Sequence, residues 1–204
     1  MKLWHCLGSR SFRVLWTLEE MELDCEIEVV RFPPRMFQKE YLEINPLGTV
    51  PYFVDGAAHM TESVAICQYL VEKYGIKTAG GGLGIGVEEP EYGEFLNWLY
   101  HSEATLTFPQ TVAMRYQILE PGKYPEVGKS YLDWYIARLR LLEEKIKGKE
   151  FVCGNKFTIV DISIVYALYL GGVLGVTDRY SAELLDYLER MKERPAFKRA
   201  EKIN

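Results

Sequence analysis

The sequence predicts two domains, an α/β module followed by an all-helical one, on three observations. Over the first eighty residues the spacing of apolar side chains alternates between strand and helix periods, the mark of the two kinds of element woven together. After residue 87 every strong periodic stretch is helical. Between the two regions lies IKTAGGGLGIGV, whose glycines favour no regular structure and read as a link. The bounds that follow are 1–76 for the first domain, 77–87 for the link and 88–204 for the second.

In the first domain, residues 2–6 read as a short strand, and 12–21 as a helix with Phe12, Leu15, Trp16 and Leu18 on one side. Ile27, Val29 and Val30 make a strand of residues 26–30, and 36–44 form a weak helix after Pro33-Pro34. Residues 52–54 and 57–60, joined by the turn signal Asp55-Gly56, form a hairpin, and a helix over 63–74 closes the unit. The order is βαβ, a helix, then ββα. In the second domain helices are expected over 90–105, 125–147, 158–170 and 182–193. Thr158-Ile-Val-Asp161, preceded by Phe157, is a capping box with Asp at its third helical position, a folding element worth about 1 kcal/mol for the cap alone.

Composition narrows the function classes. A chain of 204 residues, 48% hydrophobic, is long enough for a substantial core. Its 24 basic and 29 acidic residues give a net charge of −5, with no lysine or arginine run longer than a pair, which argues against nucleic acid as a partner. MKLWHC is not a charged leader before a long apolar stretch, and nowhere do eighteen apolar residues run together, so a soluble cytoplasmic protein without a membrane partner is expected. Cys6, Cys25, Cys67 and Cys153 are widely separated and make neither a CxxC nor a zinc spacing, so they read as reduced, packed thiols. The glycine-rich link follows a helix, not a strand, and so is not a dinucleotide loop.

Chemistry concentrates between Asn45 and Ser63 and at the opening of the first helix. Pro51 cannot donate to a strand ladder, and Val50 before it prefers extended backbone; the bond between them is either a trans proline starting an edge strand or one of the few cis X-Pro bonds. Glu62-Ser63 opens a helix whose first amides lack intrahelical partners, a place for an anion; equally, Thr61 or Ser63 is an N-cap and Glu62 a first-turn acid. Ser9 and Ser11 stand at the start of the first helix, where a helix cap is the plain role for either.

SRSFRVLWTLEE, NPLGTVP, TES and FTIVDISI, with RPAF near the end, fall in the order and spacing of the cytosolic glutathione transferases, and the chain resembles that family, in its bacterial serine-type form, over nearly its whole length. The resemblance implies the glutathione transferase fold: an α/β thioredoxin-like N-terminal domain that binds glutathione and an all-α C-terminal helical domain that supplies the electrophile pocket, usually as a homodimer. It implies a cis Val50-Pro51 bond whose Val50 backbone pairs with glutathione, with Thr49 on the same loop. It also implies that Ser63 and Glu62 take the γ-glutamyl end, and that Gln38 reaches the glycine end. Glutathione is then a co-substrate, and no metal or nucleotide cofactor is needed.

The same resemblance makes Ser9, four residues before Arg13, the residue that ionises the thiol, with Ser11 as the competing choice. Arg10 stands where cysteine-type relatives carry a catalytic cysteine, so mixed-disulfide chemistry is disfavoured; Arg10 either adds positive charge near the thiolate or is a solvated surface residue. Trp4, His5 and Leu7 lead into this turn and border the pocket. Glu103 aligns with an acid that in some classes reaches the glutathione amine of the other subunit, and Thr105 with a pocket histidine of cysteine-type enzymes. Tyr100, Phe108, Met114 and Tyr116 are candidate contacts for a small apolar electrophile, although aromatic and sulfur side chains at such spacing are commonly core. The implied activity is transfer of glutathione to an apolar electrophile. Alternatives are a noncatalytic module for ligand carriage or protein interaction, and a specialised isomerase, dehalogenase or ether lyase on the same frame.

Overall fold

A computed structural model of the chain describes residues 1–75 and 82–203. It divides into two compact units, Met1–Gly84 with Glu193–Asn204, and Ile85–Lys192. The expected boundary at 76–77 and residues 77–81 of the link lie outside the described residues; residues 82–87 belong to no helix or strand.

The first unit opens with β1 (Lys2–His5), α1 (Ser11–Glu20) and β2 (Glu26–Val29), the two strands parallel with Leu3 opposite Ile27. One helix was expected over 36–44; the structure has a single turn, α2 (Pro34–Phe37), and a 3₁₀ turn, Lys39–Glu43. Gln38 separates them because its backbone, at φ −148° and ψ 72°, is not helical. The hairpin of β3 (Tyr52–Asp55) and β4 (Ala58–Met60) and the helix α3 (Ser63–Tyr74) follow. The sheet order is β2-β1-β3-β4, with β3 antiparallel to both its neighbours, a thioredoxin-like mixed sheet. Leu3 and Phe53 are paired across it and fully buried. Trp4, Cys6, Val30 and Tyr41 form a separate cluster with Val50, Tyr52 and Val54 against them.

In the second unit, α4 (Tyr92–His101) continues through a π-helical segment, Ser102–Thr107, into α5 (Phe108–Met114) and a second π-helical segment, Arg115–Leu119. No helix was expected over 108–119. In the structure Pro109 lies in the first turn of α5, where a missing N–H costs little, and the wider π turn precedes it, with the Thr107 hydroxyl donating to the Ser102 carbonyl at 2.7 Å. Then come α6 (Pro125–Ile146), α7 (Ile159–Val173), a 3₁₀ turn at Thr177–Arg179 and α8 (Ala182–Lys192). Ten consecutive residues of α7, from Ile159 to Leu168, are buried, which makes it the central helix of this unit. The Tyr135 and Tyr180 hydroxyls lie 2.6 Å apart, with the Ala167 carbonyl 3.1 Å from the first and the Leu168 carbonyl 3.0 Å from the second, so one hydroxyl donates to the other and the other to its carbonyl; a β-carbon at Gly171 would overlap the Tyr180 hydroxyl.

The last helix, α9 (Pro195–Glu201), returns to the first unit, whereas the sequence reading placed residues 193–204 with the second domain. Phe197 packs edge-on against Trp16 at 4.9 Å and Phe12 at 5.3 Å. Arg194 bridges to Glu20 at 2.6 Å, and Arg199 to Glu19 at 2.7 Å. A bidentate arginine pair with a nearly buried acceptor, as at Glu20, is the kind of ion pair that holds geometry.

The capping box of α7 is present and does more than cap. Thr158 accepts from the Val160 amide, and Asp161, fully buried, accepts from the Thr158 amide at 2.9 Å. Its other oxygen accepts from the Val152 amide at 2.9 Å and the Tyr187 hydroxyl at 2.8 Å, so one carboxylate ties a loop, α7 and α8 together. Burial raises its pKa against the opposing pull of these donors. Asp161→Ala strands three buried donors and is expected to cost about 3–5 kcal/mol in urea unfolding. A loss near 1 kcal/mol would reduce the residue to an ordinary cap.

Candidate functional site

The elements named in the sequence reading meet at one end of the first unit's sheet. β3 runs antiparallel to β1 with Tyr52 opposite Trp4, so the start of β3 lies beside the end of β1. The Val50-Pro51 bond, just before β3, is cis; so is Phe32-Pro33, which the sequence did not signal. Arg13, in the first turn of α1 and fully buried, donates from Nη1 to the Ser63 Oγ at 3.1 Å. That bond sets the start of α3 beside the start of α1. The Ser9 turn, the loop up to Pro51 and the Glu62-Ser63 helix start are thereby brought together.

At the first of these, Ser11 was a candidate helix cap. Instead Arg10 occupies the N-cap with no side-chain cap, and Ser11 is the first helical residue with its hydroxyl turned back to β1. The reason is the strand end: the Cys6 amide donates to Ser11 Oγ at 3.2 Å, and Ser9 Oγ donates to the Cys6 carbonyl at 2.8 Å. The two hydroxyls lie 2.7 Å apart, and Ser11 Oγ is also 2.7 Å from His5 Nδ1. Ser11 is fully buried, while Ser9 keeps 9% of its surface exposed, so Ser9 is the hydroxyl nearer solvent. Arg10 is half-buried at the same turn. Burial pushes His5 down to about 4, so the ring is neutral at physiological pH. It pushes the Cys6 thiol up to about 12, and that thiol donates to the Val30 carbonyl at 2.8 Å, so Cys6 is a packed group and no nucleophile.

The loop before the cis proline is held from behind. Tyr41 Oη and Asn45 Nδ2 both donate to the Thr49 carbonyl at 2.8 Å, and Asn45 Oδ1 accepts from the Leu47 amide at 3.1 Å. Gly48 has φ +59°, and a β-carbon there would meet Arg35 Cβ at 2.7 Å and Leu42 Cδ2 at 2.9 Å. Only glycine fits that crossing. Gln38 is half-buried, and its amide oxygen accepts from the Arg31 amide at 3.3 Å. Glu62, exposed, takes the N-cap position of α3 with extended backbone and no side-chain cap. Ser63, buried, uses a lone pair for Arg13 and keeps its own proton for donation.

Arg13, Tyr41 and Asn45 had no binding or catalytic role expected from the sequence, and His5 was expected only at the border of the pocket. Asn45 alone carried a signal, as the Asn-Pro of a turn; the others are recognisable only by what they touch.

In the second unit, Tyr100 and Thr105 line a cavity of about 430 Å³, and Thr105 also borders one of about 590 Å³ with His101, Trp134 and Arg138. Phe108 packs edge-on against Tyr131 and Trp134 at 6.2 and 6.3 Å, and Tyr116 against Tyr124 at 5.9 Å, with Met114 half-buried between them in sequence. Glu103 lies half-buried in the π-helical segment after α4. Leu7, by contrast, belongs to the first unit and is 59% exposed. Among the described residues no group of three His, Cys, Asp or Glu side chains is placed to hold a metal, and no helix is long and apolar enough to cross a membrane.

Residues 1–72 match the glutathione S-transferase N-terminal domain, and residues 136–202 the glutathione S-transferase C-terminal domain. The chain belongs to the glutathione S-transferase family of enzymes. Among its relatives, a glutathione S-transferase of Arabidopsis thaliana is 30% identical over 176 residues, covering 83% of this chain and 80% of that protein. One from Nicotiana tabacum is 28% identical over 199 residues, covering 90% of each. A sphingomonad glutathione S-transferase solved in complex with glutathione superposes with a TM-score of 0.86 at 22% identity, over 100% of this chain and 98% of that one. The glutathione S-transferase fold therefore covers both units.

The buried histidine makes acid stability informative. Its folded pKa, about 4, lies below the ordinary value near 6.5, so the unfolded chain takes the proton first. The stabilisation is complete above pH 6.5 and is lost as pH falls to 4, by about 3 kcal/mol. Urea unfolding of wild type and His5→Asn should show the wild-type curve losing that amount relative to the variant between pH 7 and 4. Parallel curves would mean that His5 is solvated.

Proposed function

We propose that this chain transfers reduced glutathione to small apolar electrophiles through a thiolate stabilised by Ser9. The observation that carries the reading is the division of labour between the two serines: Ser11 is spent on the strand end and His5, while Ser9 is the hydroxyl nearer solvent, where β1, β3, α1 and α3 converge. The glutathione thiol is a weak nucleophile until ionised. Lowering its pKa from about 8.5 to about 6.5 requires about 2.7 kcal/mol in favour of the charged form. One hydrogen bond to a charged acceptor supplies about 1.5–3 kcal/mol, and a helix N-terminus about 0.3–1 kcal/mol. A single hydroxyl at the start of α1 is therefore enough.

Capture of the tripeptide falls to the other two elements. The Val50 backbone and Thr49 offer strand-like hydrogen bonds to the cysteinyl unit, and Gln38 is assigned to the glycine end. The γ-glutamyl carboxylate is assigned to Ser63 and the first amides of α3, where the buried Arg13 guanidinium adds positive charge, and the ammonium to Glu62. The electrophile contacts are assigned to Leu7, Tyr100, Thr105, Phe108, Met114 and Tyr116. We infer a homodimer, with Glu103 as the residue offered to the partner's glutathione.

Ser9→Ala should raise the bound thiol's pKa by about one to two units and lower turnover about ten- to a hundredfold, with a modest change in affinity. Thiolate absorbance during glutathione titration measures the first directly; an unchanged signal would transfer the role to Ser11 or a backbone amide. Glu62→Ala should do the reverse, weakening glutathione binding about tenfold while leaving the bound thiol's pKa in place. Wild-type affinity in that variant would remove Glu62 from the site.

A further inference from the structure

Three short contacts run in line from the strand to the solvent side of the turn: His5 Nδ1 to Ser11 Oγ at 2.7 Å, Ser11 Oγ to Ser9 Oγ at 2.7 Å, and Ser9 Oγ to the Cys6 carbonyl at 2.8 Å. Each needs one proton between its heavy atoms, because two lone pairs at that distance repel. The Cys6 carbonyl has no proton, so the last contact takes the Ser9 hydroxyl hydrogen. The Ser11 hydrogen must then serve the middle contact, and the first is left to His5. The neutral ring is therefore protonated on Nδ1. Nε2, buried and without a hydrogen-bond partner, is the bare nitrogen, which costs less to bury than an unpaired N–H.

We propose that His5 is a positioning residue that fixes the Ser9 hydroxyl as an outward donor through Ser11. The proposal rests on Ser9 being the thiolate-stabilising group. Ser11 Oγ accepts from His5 and from the Cys6 amide at 3.2 Å, so both its lone pairs are used; its hydrogen goes to Ser9 Oγ at 2.7 Å in preference to the Cys6 carbonyl, which lies 3.5 Å away and already holds the Ser9 hydroxyl. Ser9 Oγ in turn accepts from the Ser11 hydroxyl and, at 3.4 Å, from the Ser11 amide. A hydroxyl so occupied has only its proton to offer.

That selects the ionised form of an incoming sulfur: a thiolate accepts the proton, whereas a thiol would need an acceptor that Ser9 no longer provides. The Ser9 hydroxyl turns from the Cys6 carbonyl to the sulfur, and the carbonyl keeps the Ser9 amide, which donates to it at 3.2 Å. No protein group is charged in the exchange; the thiol proton leaves to water. Hydrogen bonds aligned head to tail polarise one another, so the donor strength of Ser9 depends on a ring two links away.

Two measurements test this. Ring-nitrogen NMR of the wild-type protein should show His5 protonated on Nδ1 and bare on Nε2; the opposite tautomer overturns the proposal without any variant. Titration of bound glutathione should give a thiol pKa about 0.5 to 1 unit higher in His5→Leu than in wild type, with most of the loss recovered in His5→Asn, whose amide nitrogen stands where Nδ1 does. A folded His5→Leu protein with the wild-type thiol pKa, beside a Ser9→Ala protein with a raised one, ends the role of His5 and spares that of Ser9. If Ser9→Ala also leaves the thiol unchanged, the reading of Ser9 itself has failed.

Discussion

Strand β1 runs out into Cys6, whose amide and carbonyl are paired by side chains and the turn rather than by a neighbouring strand, and the geometry of the first unit's site follows from how those two groups are paired. The Cys6 amide and carbonyl point into a buried region, where an unpaired polar group costs about 1–3 kcal/mol. The amide is met by the Ser11 hydroxyl, and the carbonyl by the Ser9 amide and hydroxyl. That requirement pulls Ser11 out of a capping role, sets it against His5, and leaves Ser9 as the outer hydroxyl of the turn. The same bonds that finish a strand thus leave a donor facing outward at a helix start.

How much of this was legible depended on range. Local signals survived: the helix of α3 and the capping box at Thr158 depend on residues within a few positions of each other. Elements whose form is set by distant partners did not. Residues 108–119 carry no helix in the sequence until the π turns on either side of α5 are seen, and residues 36–44 read as one helix until Gln38 is found in a non-helical conformation. The packing of α9 on α1 joins residues 174 positions apart, and nothing near Arg194 announces Glu20 as its partner.

For the candidate site, the residues that present a group to the outside were recognisable by motif: SRS, NPLGTVP and TES locate Ser9, the loop to Pro51 and the start of α3. The residues that hold those groups in place were not. Arg13 served only as the landmark four residues after Ser9, yet it is fully buried and bonded to Ser63; Tyr41 fell unnamed within the weak helix expected over 36–44, yet it anchors the Thr49 carbonyl. Side chains of this kind are chosen by three-dimensional proximity, which one-dimensional spacing does not encode.

The return of α9 bears on how the polypeptide is made. The faces of Phe12 and Trp16 that Phe197 covers belong to the helix carrying Ser11 and Arg13, so this module lacks part of its packing until α9, which begins only at Pro195, has been translated. The usual order, in which an amino-terminal domain finishes while later ones are still on the ribosome, does not apply to it. Until α9 clears the ribosome, an apolar face stays open, and a nascent chain in that condition is a natural client for chaperones.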